Sequence, residues 1–210
     1  MKYIELSHRE WQVPKLSSPL EIRERLDEMN LTGRTIRNIR FIGYSYFHED
    51  KWLENHVYIN LPDDMSEDEK HNLSHVDNIP SDFEFFCNAK IDDPCIILFE
   101  NGETFEIDAL MDSEYMFSMN CISWDSDIAD KERNVDAGVL FSQAIGKRIT
   151  EVEATVEYDK VLRIVLWLEN SIGICISSWI DYCDVACIDR SNVLQTIRYG
   201  ELKKGIIKQE

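Results

Sequence analysis

The stretch that decides the fold spans residues 96–107 and reads IILFENGETFEI. An apolar run leads into Asn101-Gly102, and alternating apolar and polar residues follow. Asn-Gly is the strongest short-range signal for a β-hairpin, because both residues tolerate the positive φ that a two-residue turn requires. The sequence therefore predicts an antiparallel hairpin at this point of the chain.

A second stretch has the same shape. Residues 164–176 read IVLWLENSIGICI, and a Glu-Asn pair again stands at the turn. Because an asparagine at a turn has a backbone role, we assign Glu100 and Glu169 a structural position rather than a place in an active site. A further apolar run follows each hairpin, at residues 115–122 and 182–188. The pattern predicts two similar β-meanders.

The segments upstream of the hairpins also correspond. Residues 33–39 read GRTIRNI and residues 146–152 read GKRITEV, with glycine, a base and isoleucine at the same spacing. We expect each to open a strand, the first over residues 34–47. A short helix is predicted before each strand, at residues 16–31 and 135–145, the second closed by Gly146.

The first helix has a clear start signal. Ser18 and Glu21 form a capping box, and Pro19 suits the first helical position. Gly33 is expected to adopt the left-handed conformation that ends a helix. The apolar face is expected to consist of Leu20, Ile22, Leu26 and Met29.

These patterns predict an α+β fold that is predominantly antiparallel β, with two related helix-plus-β-meander halves and a probable internal duplication. The first unit covers residues 1–133 and the second covers residues 134–210, and the two can pack as one globular domain. The first unit carries an acidic insert at about residues 48–90. An alternative register stays open, because WLEN recurs at residues 52–55 and 167–170.

The insert has local signals of its own. We expect a strand at residues 56–60, a turn at 61–64 and a short helix that starts at the capping box of residues 66–69. Residues 82–89 are rich in phenylalanine and offer a further apolar segment to the core.

Charge is the compositional feature that departs most from the average. The 210 residues carry 40 acidic and 22 basic side chains, a formal net charge of −18. Residues 49–132 contain 23 acids and four bases, whereas the chain from residue 134 onward contains 11 acids and nine bases. So negative a field repels nucleic acid and anionic membranes, and it favours encounter with a basic protein.

The beginning of the chain contains no apolar run typical of a signal peptide, and no stretch has the ~18 apolar residues of a membrane helix. The cysteines lie mostly in apolar, strand-like runs and are expected to be reduced core residues. Cys183 and Cys187 are assigned to the core of the final strand. We therefore expect a cytoplasmic protein.

Our leading hypothesis is a non-enzymatic interaction module that binds a basic partner, with an immunity or antitoxin-like inhibitor as one concrete form. No catalytic residues and no cofactor are assigned. The candidate partner-binding residues are the acids of the insert: Asp63, Asp64, Glu67, Asp68 and Glu69.

Two alternatives are enzymatic or metal-binding. His71 and His75 are four residues apart on the expected insert helix, where both imidazoles can reach one zinc ion, although no motif supplies a third ligand. The other alternative is an enzyme of a class that has no short sequence signature, because the phosphate-binding, dinucleotide-binding and hydrolase motifs are all absent from the sequence.

Overall fold

The fold is given by a computed structural model, which describes residues 6–9, 12–42, 57–60, 86–91, 94–120, 134–138, 141–178 and 183–190. Within these ranges the chain forms one α-helix, α1, and eleven β-strands. The helix covers Pro19–Met29. The strands are β1 (Ile36–Ile42), β2 (Val57–Asn60), β3 (Phe86–Ile91), β4 (Cys95–Phe99), β5 (Thr104–Leu110), β6 (Glu114–Met119), β7 (Asn134–Asp136), β8 (Ile149–Glu157), β9 (Lys160–Leu168), β10 (Ile172–Ser178) and β11 (Cys183–Asp189).

The strands form two sheets. The first has the order β6-β5-β4-β1-β7, and the second has the order β2-β3-β11-β10-β9-β8. All the strand pairs within these sheets are antiparallel. The expectation of mostly antiparallel β-structure with some helix is confirmed.

One apolar core joins the two sheets and the helix. Alternate residues of β4, β5, β6, β10 and β11 belong to this core, as expected for strands whose side chains alternate between faces. The helix adds Ile22, Leu26 and Met29. The first sheet contributes residues that include Phe41, Phe99, Phe105, Ile107, Tyr115 and Phe117, and the second contributes residues that include Ile164, Leu166, Leu168, Ile174, Ile176 and Val185.

Each sheet contains a four-stranded meander, β1-β4-β5-β6 in the first and β8-β9-β10-β11 in the second. Their registers agree. Ile36 pairs with Phe99, Ile149 pairs with Leu168, and a shift of register follows directly after Ile36 and after Ile149. The two meanders therefore bend at the same place.

The hairpin turns agree as well. The Asn101 side-chain Oδ1 accepts from the backbone N–H of Glu103 at 3.0 Å, and Asn170 Oδ1 accepts from Ile172 at 3.4 Å. Gly102 has a φ of 85°, and Ser171 has a φ of 66° at the same position of its turn. Both predicted hairpins are thus confirmed, with their turns where Glu-Asn predicts them.

The two meanders meet in a short antiparallel ladder before their first strands. The Gly33 N–H donates to the Ile149 carbonyl at 2.8 Å, and the Gly146 N–H donates to the Ile36 carbonyl at 2.8 Å. The inner bonds, from Ile36 to the Lys147 carbonyl and from Ile149 to the Arg34 carbonyl, are both 2.9 Å. Each bond thus has a counterpart in which the two segments exchange roles. A local two-fold axis between the segments would produce this arrangement.

The helix α1 begins where the sequence predicts but ends differently. Pro19 lies in its first turn, whereas the Ser18 side chain makes no capping hydrogen bond. Asn30, with a φ of 46°, takes the left-handed position that ends the helix. Gly33, predicted for that role, has a φ of 88° in the following turn. Asparagine tolerates this conformation because its side chain is short and polar.

The predicted helix at residues 135–145 is wrong. Asn134–Asp136 forms β7, and turns occupy residues 141–146. The Asp136 carboxylate accepts from the Gly138 N–H at 2.9 Å, and the Ala137 N–H donates to the Ile39 carbonyl of β1 at 3.0 Å. Pairing with β1 holds residues 134–136 extended, and these bonds continue that pairing into a turn, so a helix cannot start at residue 135.

The insert contributes two described strands. β2 confirms the strand expected at residues 56–60, and β3 overlaps the apolar segment at 82–89. β3 pairs with β11, so both strands extend the sheet of the second meander. The expected insert helix and the competing WLEN register at residues 52–55 lie outside the described residues.

Candidate interaction surface

An open cleft of about 740 Å³ lies where the start of α1 meets two turns. The first turn is the single 3-10 turn Met111–Ser113 between β5 and β6. The second turn joins β8 to β9 at Tyr158 and Asp159. The residues that line the cleft are Ser17, Ser18, Pro19, Leu20, Asp112, Glu114, Asp159 and Lys160.

Of the exposed large apolar side chains, one lines this cleft and two directly precede residues that line it. Leu20 lines it with 64% of its surface exposed, and Met111 (56%) and Tyr158 (92%) directly precede the lining residues Asp112 and Asp159. They are the large apolar residues that stand exposed in the part of the chain the structure describes. Leu20, expected on the buried face of α1, instead faces solvent and adds an apolar side chain to the lining of the cleft.

The cleft is acidic. Asp112, Glu114 and Asp159 face one base, Lys160, whose Nζ lies 3.9 Å from a carboxylate oxygen of Asp112. Both side chains of this pair are more than half exposed, so solvent screens it and it holds neither group firmly. The surface therefore combines apolar anchors with a net negative charge.

Four of the lining or flanking residues have a backbone conformation that is uncommon outside glycine. The φ angles are 60° at Asp112, 62° at Ser113, 48° at Tyr158 and 62° at Asp159. Aspartate adopts this region more readily than most residues, but a tyrosine there is unusual. At Tyr158 and Asp159 these angles follow from the two-residue turn between Glu157 and Lys160, which requires positive φ at both positions.

A separate polar layer lies on the outer face of the first sheet, beneath the N-terminal segment. The Nη2 atom of Arg9 donates to both carboxylate oxygens of Glu106 on β5, each at 2.5 Å. The side chain of Arg9 is 7% exposed and that of Glu106 is 2% exposed. Leu6, Val13 and Met116 form the apolar cluster beside them. The ion pair is enclosed and offers no access to a ligand, so we interpret it as structural.

Three buried side chains have pKa values that are raised above the ordinary range. Burial raises the pKa of the Cys95 thiol well above its ordinary range and raises that of Cys187 to about 12. Burial also raises the pKa of Tyr115, with smaller contributions from Cys183 and Cys175. Each of these groups is held in its protonated form inside the core, where none is suited to act as a nucleophile or base.

The other sequence-based site candidates divide into two groups. Cys183 and Cys187 lie buried on β11, as expected of core residues. The insert acids and the two histidines lie outside the described residues, so their assignment stays a prediction: Asp63, Asp64, Glu67, Asp68, Glu69, His71 and His75.

Sequence reasoning missed the cleft residues. Leu20 was assigned to the core because its spacing fits the apolar face of α1, and nothing in the sequence relates it to Met111 or Tyr158. The one available signal is Tyr158-Asp159 between two strand-like runs, a two-residue connection that lacks the usual Asn-Gly.

Among the residues that the structure describes, no three His, Cys, Asp or Glu side chains are grouped so as to hold a metal ion. In the same residues, no helix has both the length and the apolar character to cross a membrane. No protein-family model, curated protein or solved structure matches the chain. The function is therefore argued from the residues themselves.

Proposed function

We propose that this protein is a non-enzymatic interaction module that binds a basic protein partner. One observation carries the proposal: the exposed Leu20 lies in a cleft lined by three acids and one base, and the exposed Met111 and Tyr158 directly precede two of those acids, Asp112 and Asp159. A partner with an apolar residue flanked by lysine or arginine complements such a surface in both respects.

The two components of the surface have different physical roles. The acidic charge accelerates the encounter with a basic protein and disfavours acidic competitors. Tyr158 and the two aliphatic side chains bury apolar area once the complex forms, which slows dissociation. An immunity or antitoxin-like inhibitor of a cationic toxin is one form that such a protein takes.

We propose that the insert acids Asp63, Asp64, Glu67, Asp68 and Glu69 add to the same attraction. They belong to the span of residues 49–132 that holds 23 acids and four bases. Charges at this density act over roughly the Debye length of about 8 Å at physiological salt, so they steer a partner without touching it.

We further propose that the chain arose by internal duplication of a β-meander. The alignment of Gly33 with Gly146 and of Asn101 with Asn170 supports this, because the strand registers and the turn bonds agree along it. Four cysteines are buried in the described part of the chain, which fits a reducing compartment such as the cytoplasm: Cys95, Cys175, Cys183 and Cys187.

Charge reversal at the cleft tests the proposal. The untagged protein is immobilised, and the basic proteins that it retains from a lysate of its source are identified by mass spectrometry. We expect the double variant Asp112→Lys/Asp159→Lys to weaken binding of the retained partner about tenfold or more, since two attractive charges become repulsive.

The matched control is Glu100→Lys, an exposed acid in the β4–β5 turn. It changes the net charge by the same amount per residue but lies at the other end of β5 from the cleft. Equal losses in the control and in the cleft variants would show that only overall charge matters and would contradict a role for the cleft.

A further inference from the structure

The strand β8 lies at the end of the second sheet. It has nine residues, Ile149–Glu157, and pairs with β9 on one side. On its other side the ladder with residues 33–36 ends at Ile149. Among the described residues no strand pairs with the rest of this edge. Within the described ranges, the outward backbone donors and acceptors beyond Ile149 therefore have no strand partner and can pair with a further strand.

The matching strand of the other meander has its edge covered. In β1, Arg40, Phe41 and Ile42 pair with β7 of the same chain. The bond from the Ala137 N–H to the Ile39 carbonyl, 3.0 Å long, continues this pairing. The first meander thus has β7 on the outer edge of β1. Among the described residues, the second meander has no strand on the equivalent edge of β8.

The registers identify the equivalent positions. Counted from the shared register shift, Ile39 and Phe41 of β1 correspond to Val152 and Ala154 of β8. Ile39 and Phe41 are 0% exposed, whereas Val152 and Ala154 are only half-buried. The missing cover therefore leaves apolar surface incompletely shielded along β8.

The charges at the two edges are opposite. Arg40 of β1 pairs with Asp136 of the added strand, at 3.4 Å between Nη2 and Oδ2. The residue of β8 that corresponds to Arg40 is Glu153. Its carboxylate accepts from Trp167 Nε1 at 2.8 Å, a neutral donor, so its charge is retained. A strand added here meets a negative charge where β7 meets a positive one.

We propose that β8 binds an extended segment of the basic partner as an additional strand. Lysine or arginine of that segment faces Glu153, and apolar residues of alternate positions cover Val152 and Ala154. The inference rests on the proposed function and specifies how the partner binds. Because β8 ends at Glu157, two residues before Asp159 of the cleft lining, one partner segment can engage both the strand edge and the cleft.

A second copy of this chain is a poorer occupant of the edge. Two β8 strands placed side by side would oppose rows that each carry Glu151, Glu153 and Glu157. Arg190 forms an ion pair with Glu151, whereas Lys160, the cross-strand neighbour of Glu157, has its Nζ 3.9 Å from a carboxylate oxygen of Asp112 instead. Like charges directly opposite each other destabilise a strand pair, and such charges are a common protection of edges against self-association.

The test uses the full chain and an end-blocked peptide of about nine residues that alternates lysine with valine and threonine, long enough to span β8. Backbone amide NMR shifts and hydrogen exchange are followed with and without the peptide. We expect shifts along residues 151–157 and slower exchange of alternate amides there, by about threefold or more. The same peptide with glutamate in place of lysine should leave both unchanged.

Three variants sharpen the result. Glu153→Gln keeps an acceptor for Trp167 and should weaken peptide binding about threefold, whereas Glu153→Lys should weaken it about tenfold. Ala154→Pro removes an N–H that corresponds to the outward one of Phe41 and should abolish the protection. Glu100→Lys is the control for charge, and near-ultraviolet circular dichroism checks that each variant is folded.

Binding of the peptide only at residues 111–114 or within the insert would overturn strand addition but leave the proposed function standing. Absence of binding, equal binding of the acidic peptide, or pairing of two copies through β8 would also overturn it. Failure of the proposed function is a separate result, namely that no basic protein is retained from the lysate.

Discussion

Arg9 places its guanidinium 2.5 Å from both carboxylate oxygens of Glu106, a residue 97 positions further along the chain. The pair fastens the N-terminal segment to the outer face of β5, in surroundings that exclude water. A buried ion pair adds little net stability by itself, but the loss of one partner leaves a charge without compensation.

We therefore expect Glu106→Leu to lower the free energy of unfolding by about 3–5 kcal/mol, and Arg9→Met/Glu106→Leu to recover most of that loss. Urea denaturation measures both. Arg25→Ala, which removes the exposed Arg25–Glu28 pair, should cost no more than about 0.5 kcal/mol. A double variant as unstable as Glu106→Leu would show that the pair is not the cause.

Gly173 should not tolerate a side chain. A Cβ there would lie 2.7 Å from Val165 Cγ1 and 2.8 Å from the Trp167 ring, closer than packed atoms approach. The equivalent pair in the other meander is Thr104 opposite Leu98, where a smaller neighbour leaves room. We expect Gly173→Thr to destabilise the protein by about 1–3 kcal/mol.

The double-variant cycle with Trp167→Leu provides the control. If the indole ring causes the clash, the same glycine substitution costs clearly less in the Trp167→Leu background. Equal costs in the two backgrounds would contradict this explanation.

We expect Tyr158 to lower the folding stability of the protein while it strengthens binding of the partner. Its φ of 48° lies in the region that asparagine adopts far more readily than tyrosine. Tyr158→Asn should raise the free energy of unfolding by about 0.5–1 kcal/mol and at the same time weaken partner binding. Thermal denaturation and a titration with the identified partner measure the two effects. Unchanged binding would remove Tyr158 from the interaction surface.

Because Cys187 is buried, we expect the free energy of unfolding to fall at alkaline pH. Its pKa is raised from an ordinary value of 9.0 to about 12 by burial. Above pH 9 the unfolded thiol loses its proton while the folded one keeps it, so its stabilising contribution is complete below 9 and is lost between 9 and 12. The maximum slope is about 1.4 kcal/mol per pH unit.

Urea denaturation between pH 8 and pH 10 checks this, with Cys187→Ala as the comparison. The variant is expected to be less stable throughout but to lose less stability as the pH rises. Parallel curves for the two proteins would show that this thiol does not cause the alkaline destabilisation.

The features of the fold that sequence reasoning predicted are those with local causes. Asn101-Gly102 and Glu169-Asn170 identify the hairpins because turn geometry depends on adjacent residues. Pro19 identifies the start of α1 for the same reason. The helix expected at residues 135–145 failed because β1 offers Asn134–Asp136 a strand partner, and tertiary pairing overrides a weak helical pattern.

The missed features depend on residues far apart in the chain. Nothing near Arg9 indicates Glu106, and nothing near Leu20 indicates that two distant turns come together beside it. The edge of β8 has no described partner because β7 pairs with β1 instead, and hydrophobic periodicity does not specify which strand β7 pairs with. The net charge is the basis for the proposed basic partner, but it carries no information about which surface such a partner would contact.

The measurement that tests the central proposal most directly is the salt dependence of what the immobilised protein retains. We predict that a basic protein is held at low salt, is released as the salt concentration rises, and binds about tenfold or more weakly to Asp112→Lys/Asp159→Lys than to the wild type or to Glu100→Lys. Retention of nothing at either salt concentration, or retention that neither salt nor charge reversal alters, would contradict the account.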